Sequence, residues 1–403
     1  MRRAEKVALL VAVVLVAGAV TVAAVVLGQA RSASPSPTGA LTNPPTLTPT
    51  ARPSAPPPSP APTDDGWTLE QKVGQLFVVG VDVTDPADVS REAIVQDHVG
   101  NLFLHGRSSA GVDDVRALVE RYTDLVGPQT TNGTPMLVST DQEGGRVQVL
   151  RGAGFDDIPA ATEQATWDVA ELRERAAGWG GQLAAAGVNL DLAPVMDLVP
   201  DGTQADNPPV GALQRNYGTT PESVTTHANA FSAGLRDAGV AVAIKHFPGL
   251  GRVTADTDSS ADVVDDVTTR DDEQIDVFRS GIDAGAELVM VSTAVYSRID
   301  PDQPAAFSPA VVTDLLRGDL GFDGLVITDD LSGAEQVHAW SPADRAISAI
   351  DAGVDLVLVS KVPDVAPEMV QAVVHLARVD DEFRAKVEAA WQRVVAAKGT
   401  LLG

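Results

Sequence analysis

Val240-Ala241-Val242-Ala243-Ile244-Lys245-His246-Phe247-Pro248-Gly249 is apolar for five residues and then turns abruptly polar. Small and β-branched residues without polar alternation suit a parallel strand buried on both faces. A helical pattern precedes this run at 222–238 and another follows at 271–284. The alternation repeats. Strand-like runs also fall at 76–81, 101–104, 135–140, 188–194, 287–292, 325–328 and 355–360, which with 240–245 makes eight. Helical patterns lie at 113–125, 168–186, 309–315 and 342–352, with terminal helices across 367–397. Thr68 and Gln71 fit a capping box near the start of the folded region. Eight strand–helix units within 64–403 predict an α/β fold of the (β/α)8 TIM-barrel type. A doubly wound sheet is the alternative, but no glycine-rich phosphate loop follows any strand.

The 403 residues hold 55 acidic against 29 basic side chains, a net charge of −26, and no cysteine. Disulfides, thiolate metal sites and a cysteine nucleophile are therefore excluded. The acidity argues against a nucleic-acid partner, which needs clustered Lys and Arg. It permits neutral substrates and cations, and also serves solubility. Residues 1–63 differ: Arg2, Arg3, Lys6, Arg31 and Arg52 face Glu5 alone.

The cations at positions 2, 3 and 6 precede an uncharged run at 7–28. At ~1.5 Å per residue this run can cross a ~30 Å hydrocarbon layer. It predicts a retained anchor, or a signal peptide cleaved near Ala30, with the rest of the chain exported. Residues 31–63 carry eleven of the 27 prolines among Ser, Thr and Ala, the composition of a disordered linker. The expected contact with membrane is through the N-terminal segment alone.

A (β/α)8 barrel places its chemistry at the carboxyl ends of its strands. There the chain carries Asp141-Gln142-Glu143-Gly144-Gly145-Arg146, then Asp197 and Arg215, then Lys245-His246 followed by Asp256-Thr257-Asp258, and finally Asp329-Asp330. His246 has no second histidine at ligand spacing, so no metal signature appears, and no nucleophile-elbow serine is present. No cofactor is expected. What remains is carboxylate chemistry with polar clamps, the combination that glycoside hydrolysis uses.

Three ordered motifs also carry a resemblance. Asp141-Gln142-Glu143-Gly144-Gly145-Arg146-Val147-Gln148, Lys245-His246-Phe247-Pro248-Gly249 and Ile327-Thr328-Asp329-Asp330-Leu331-Ser332 resemble glycoside hydrolase family 3, in its single-domain β-N-acetylglucosaminidase branch. The similarity extends over about 67–403. It implies a retaining enzyme that removes terminal N-acetylglucosamine, often from peptidoglycan, through a glycosyl-enzyme. Asp329 matches the nucleophile, with Asp330 expected to point the other way along the strand. Asp141, Arg215, Lys245 and His246 match the positions that grip the sugar. Read without the resemblance, Lys245 pairs with a core carboxylate, and His246 is a satisfied buried histidine. Glu143 either joins the site or merely stabilises the Gly144-Gly145 turn.

The chain departs from the family pattern in three places. Asp258 stands where the acid/base histidine is usual, Leu250 replaces a second histidine, and Val149 replaces an arginine. Two carboxyls sharing one loop can retain a proton. Asp258 is therefore the candidate acid/base and Asp256 its partner. A barrel that binds amino sugars with weak turnover is the alternative function, and a β-glucosidase of the same family is another.

Overall fold

The computed structural model describes residues 65–403, so the expected membrane element at 7–28 and the linker at 31–63 lie outside them. Among the described residues, no helix is long and apolar enough to cross a membrane.

Eight parallel strands form the barrel: β1 (Phe77–Asp82), β2 (Asn101–His105), β3 (Leu137–Thr140), β4 (Leu190–Asp191), β5 (Ala241–Phe247), β6 (Leu288–Val291), β7 (Leu325–Thr328) and β8 (Val357–Val359). Neighbours pair in sequence order from β1 to β7, and β8 pairs back onto β1. A bridge between Ile327 and Leu356 joins β7 to β8 and completes the ring. The predicted (β/α)8 barrel is the fold.

Helices α1 (Leu69–Gly74), α2 (Asp88–Gln96), α3 (Val112–Thr123), α4 (Ala161–Gln164), α5 (Val169–Ala185), α6 (Pro221–Asp237), α7 (Glu273–Asp283), α8 (Pro342–Ala352), α9 (Ala366–Val379) and α10 (Asp381–Leu401) accompany the strands. Several starts are written locally. Asp168, Thr220, Asp272 and Ser341 each cap a helix with a side-chain oxygen, and Pro221 and Pro342 occupy the first turn after their caps. The capping box at Thr68 and Gln71 forms as expected. The helical pattern at 309–315 is a longer π-type segment, Ala310–Asp319. Helix α2 was not expected from the sequence. The strand expected at 188–194 pairs regularly only at Leu190–Asp191.

The core falls into two layers set by strand alternation. Val78, Phe103, Leu137, Leu190, Ala243, Met290, Ile327 and Leu358 belong to the cluster inside the ring. Their neighbours Val79, Leu102, Val138, Val242, Val289, Val326 and Val357 join the larger cluster beneath the helices. Helix α10 closes the amino end of the barrel. Val394 packs into the inner cluster, and the buried Lys398 Nζ donates to Gln75 Oε1 at 2.7 Å and to the Gly100 carbonyl at 2.9 Å.

The inner rows, continued toward the carboxyl ends, reach His105 on β2, Asp141 after β3, Lys245 on β5, Asp329 after β7 and Ser360 after β8. One periodicity thus fills the barrel and aims its polar crown.

Candidate active site

A cavity of about 420 Å³ lies over that crown. Phe103, Leu192, Met290 and Leu358 contribute its apolar lining, and Asp141, Arg215, Lys245, His246 and Asp329 line it from around the ring. Lys245 continues the inward row of β5. A register shift between Ile244 and Phe247 on that strand lets the adjacent His246 face the cavity as well.

Glu143 organises one side. It lies in a small antiparallel hairpin, Gln142–Gly144 with Val147–Gln148, that turns through Gly144 and Gly145. Both glycines have positive φ, and a Cβ on Gly144 would lie 2.3 Å from the Pro159 carbonyl oxygen. The buried Glu143 carboxylate accepts Arg215 Nε at 2.9 Å and Arg215 Nη2 at 2.8 Å, and sits 2.7 Å from Lys245 Nζ. Lys245 Nζ also donates to Asp141 Oδ1 at 2.6 Å. Burial works against the charge on Glu143, but Arg215 and Lys245 outweigh it and hold the carboxyl at about 2. Glu143 therefore does more than stabilise its turn: it fixes two cations that face the cavity. Lys245 makes the core ion pair and lines the cavity at once.

His246 is held from both sides. Its Nδ1 lies 2.7 Å from Asp197 Oδ2, and Nε2 lies 3.3 Å from Arg215 Nη2. A guanidinium only donates. Nε2 is therefore the acceptor, and the ring proton is on Nδ1, donated to Asp197. The buried Asp197 also accepts the backbone N–H groups of His246 at 3.0 Å and Leu250 at 2.9 Å. The sequence places Asp197 on the rim without a role; its partners lie 49 and 53 residues away.

Asp329 is half-buried and opens onto the cavity. Its Oδ1 accepts the Asp330 N–H at 2.8 Å. Burial raises its carboxyl above the ordinary range, against the pull of the Asp330 N–H and Lys245. Asp330 behaves differently. Its carboxylate accepts Ser332 Oγ at 2.6 Å and the backbone N–H groups of Ser332, Gly333 and Ser360 at 3.0, 3.0 and 2.8 Å. It ties the loop after β7 to the loop after β8.

Asp256 and Asp258 both line the cavity. Their loop is docked: the Thr257 and Asp258 carbonyls accept N–H groups of Gln336 and Glu335 at 3.1 and 3.3 Å. Asp256 Oδ1 accepts the backbone N–H of Asp258 at 3.0 Å, so the two residues meet through an Asx turn. Burial, then the charges of Asp329, Asp256 and Asp330, push the Asp258 carboxyl up to about 7, with Lys361 opposing. Asp258 is an exposed residue by its surface area, so solvent screens part of that repulsion. Asp329 precedes the expected partner Asp256 among the charges acting on it.

Leu250 and Val149, at two of the family departures, are buried in the cavity wall. His105, Arg107 and Lys361 also line the cavity and were not singled out from the sequence. Among the described residues, no group of three or more His, Asp or Glu side chains is arranged to hold a metal ion.

Residues 68–397 match the glycosyl hydrolase family 3 N-terminal domain. The chain belongs to this family. β-Hexosaminidases of Stenotrophomonas maltophilia and Methylococcus capsulatus are similar to it, at 33% identity over 313 residues and 34% over 291. Those spans are 74% and 70% of this chain and 86% and 82% of the relatives. A solved β-N-acetylhexosaminidase from Beutenbergia cavernae is 60% identical with a TM-score of 0.82, across 83% of this chain and 99% of its own. A family 3 β-N-acetylglucosaminidase from Paenibacillus is 31% identical with a TM-score of 0.76, across 83% of this chain and 63% of its own. The three motifs therefore sit on a family 3 glycosidase barrel.

Proposed function

We propose that this glycosidase is an exported, retaining β-N-acetylhexosaminidase that releases terminal N-acetylglucosamine from peptidoglycan fragments. The observation that carries the reading is Asp329, on an inward row beside Asp141, Arg215, Lys245 and His246 in one cavity. The names of the relatives support the substrate class. The cationic, then apolar N-terminal segment supports export.

In the first step an Asp329 oxygen bonds to the anomeric carbon as the glycosidic C–O bond breaks. The Asp258 carboxylic acid gives its proton to the departing oxygen. In the second step Asp258, now a carboxylate, takes a proton from water. The water oxygen bonds to the anomeric carbon, and the ester to Asp329 breaks. Asp141 accepts sugar hydroxyls. Lys245 and Arg215, fixed by Glu143, donate to sugar oxygens.

The test is trapping with a fluorinated N-acetylglucosaminyl fluoride, followed by peptide mass spectrometry. The added mass is expected on Asp329, and label on another residue overturns the assignment. An aryl N-acetylglucosaminide is expected to turn over in the wild type and not in Asp329→Ala. Binding without turnover in the wild type returns the weaker alternative, an amino-sugar-binding barrel. Fractionation of cells expressing the full chain tests export.

A further inference from the structure

The acid and the nucleophile of the proposed reaction stand on different loops, after β5 and after β7. A retaining mechanism needs their carboxyls at a set separation, about 5–5.5 Å. Asp258 itself is exposed, whereas Thr257 and Val263 on either side of it are buried. The opening stretch of its loop is held from the loop after β4, where the buried Asn207 Nδ2 donates to the Leu250 and Val253 carbonyls at 2.7 and 2.8 Å. The closing stretch, which carries Asp258, is held from the loop after β7.

That second attachment centres on Gln336, in a short 3-10 turn at Glu335–Val337. The Gln336 backbone N–H reaches the Thr257 carbonyl, and its buried side chain reaches further along the loop. Oε1 accepts the Val263 N–H at 2.7 Å, and Nε2 donates to the Val263 carbonyl at 3.2 Å. A primary amide donates and accepts at once, so this one side chain pairs with the loop backbone as a strand would. The segment that carries Gln336 is itself anchored. Gln336 follows Asp329 by seven residues. Between them, Asp330 accepts the Ser332 and Gly333 N–H groups, and the buried Arg345 Nη1 donates to the Leu331 and Ser332 carbonyls at 2.9 and 3.3 Å. The clamp on the acid loop therefore springs from the same short segment that begins with the nucleophile.

We infer that Gln336 is a positioning residue for the acid: its buried amide fixes the Asp258 loop at a set reach from Asp329. This rests on the reading of Asp258 as the acid. Gln336 does not line the cavity, so it acts on the reaction through the loop it holds. General acid catalysis contributes about 10²–10⁴-fold, and a misplacement of about 1 Å can cost about 100-fold. A leaving group that departs without a proton escapes that cost.

The experiment compares the full-length wild type with Gln336→Met, which keeps the bulk of the side chain and removes both hydrogen bonds. The readout is kcat/KM for di-N-acetylchitobiose and for the dinitrophenyl N-acetylglucosaminide. The disaccharide reaction is expected to slow about 10- to 100-fold and the dinitrophenyl reaction less than about twofold. Melting temperatures control for folding. If Gln336→Met does not fold, Gln336→Glu takes its place, since it keeps the acceptor for Val263 and loses the donor. In the Asp258→Asn background, Gln336→Met is expected to cost the disaccharide nothing further, because the group it positions is gone. Equal losses on both substrates, no loss on either, or a further loss in the double variant overturns the positioning role. Asp258→Asn alone reports on the underlying reading. If it spares the dinitrophenyl substrate while Gln336→Met does not, the positioning role fails and the acid stands. Equal losses in Asp258→Asn reject the acid, and the inference falls with it.

Discussion

Glu143 and Arg215, 72 residues apart, meet in a two-point ion pair with contacts of 2.9 and 2.8 Å. The same carboxylate reaches Lys245. Removing its charge leaves Arg215 without a carboxylate and Lys245 with Asp141 alone. We expect Glu143→Gln to destabilise the fold by about 3–5 kcal/mol, the cost of breaking a buried pair from one side. Thermal unfolding measures the loss. The KM for an aryl N-acetylglucosaminide should rise as well, because Arg215 and Lys245 lose their fixed positions.

Asp191 gives the contrasting case. It is fully buried, with Oδ1 accepting the Gln142 N–H at 2.9 Å and no partner for Oδ2. Burial pushes its carboxyl up to about 8. The folded state then holds a proton that the unfolded state releases near pH 4, so this group's contribution falls as pH rises from about 4 to 8 and is level above. Asp191→Asn should fold normally at pH 7 and lose that slope. Denaturant midpoints across this range check it, and equal slopes in both proteins would count against a protonated Asp191.

Asp258, pushed up to about 7, sets the expected alkaline limb of activity. The acid must be protonated, so kcat/KM should fall as pH rises through about 7. The acidic limb should lie above the ordinary carboxylate range, because Asp329 is raised and must be ionised to attack. Asp258→Asn should lose far more activity toward an unactivated disaccharide than toward an activated aryl glycoside. Equal losses would remove Asp258 from the acid/base role.

Lys398 makes a separate pH signature at the foot of the barrel. Burial alone lowers its ammonium to about 7. Between about pH 7 and 10 the unfolded chain therefore binds more protons than the folded one, so this group's contribution to stability rises with pH there. Lys398→Met should abolish that rise, measured by urea unfolding at several pH values.

The barrel was legible because its strands are written as apolar runs whose alternate residues serve two cores. Lys245 and Asp329 could be placed for the same reason: each ends such a run. Helix α2 was not legible, since only Ser90, Ala93 and Ile94 are buried on it and no side chain caps its start. At 188–194 the apolar run is continuous, but regular pairing narrows to two residues. The roles of Glu143, Asp197 and Asp330 depend on partners brought close only by folding. Asp330 reaches Ser360, 30 residues on, and no local pattern announces that contact. Gln336 lies 73 residues from Val263, and its pairing with that backbone is visible only in three dimensions.

The ring of strands closes at a narrow seam, where Ile327 bridges Leu356. The Asp330 carboxylate finishes that seam from above, one residue from the proposed nucleophile. The carboxylate that fastens the ring's closing joint thus belongs to the immediate neighbour of residue 329. A substitution that loosens the joint between the last two strands therefore disturbs the backbone beside residue 329 without touching the cavity lining.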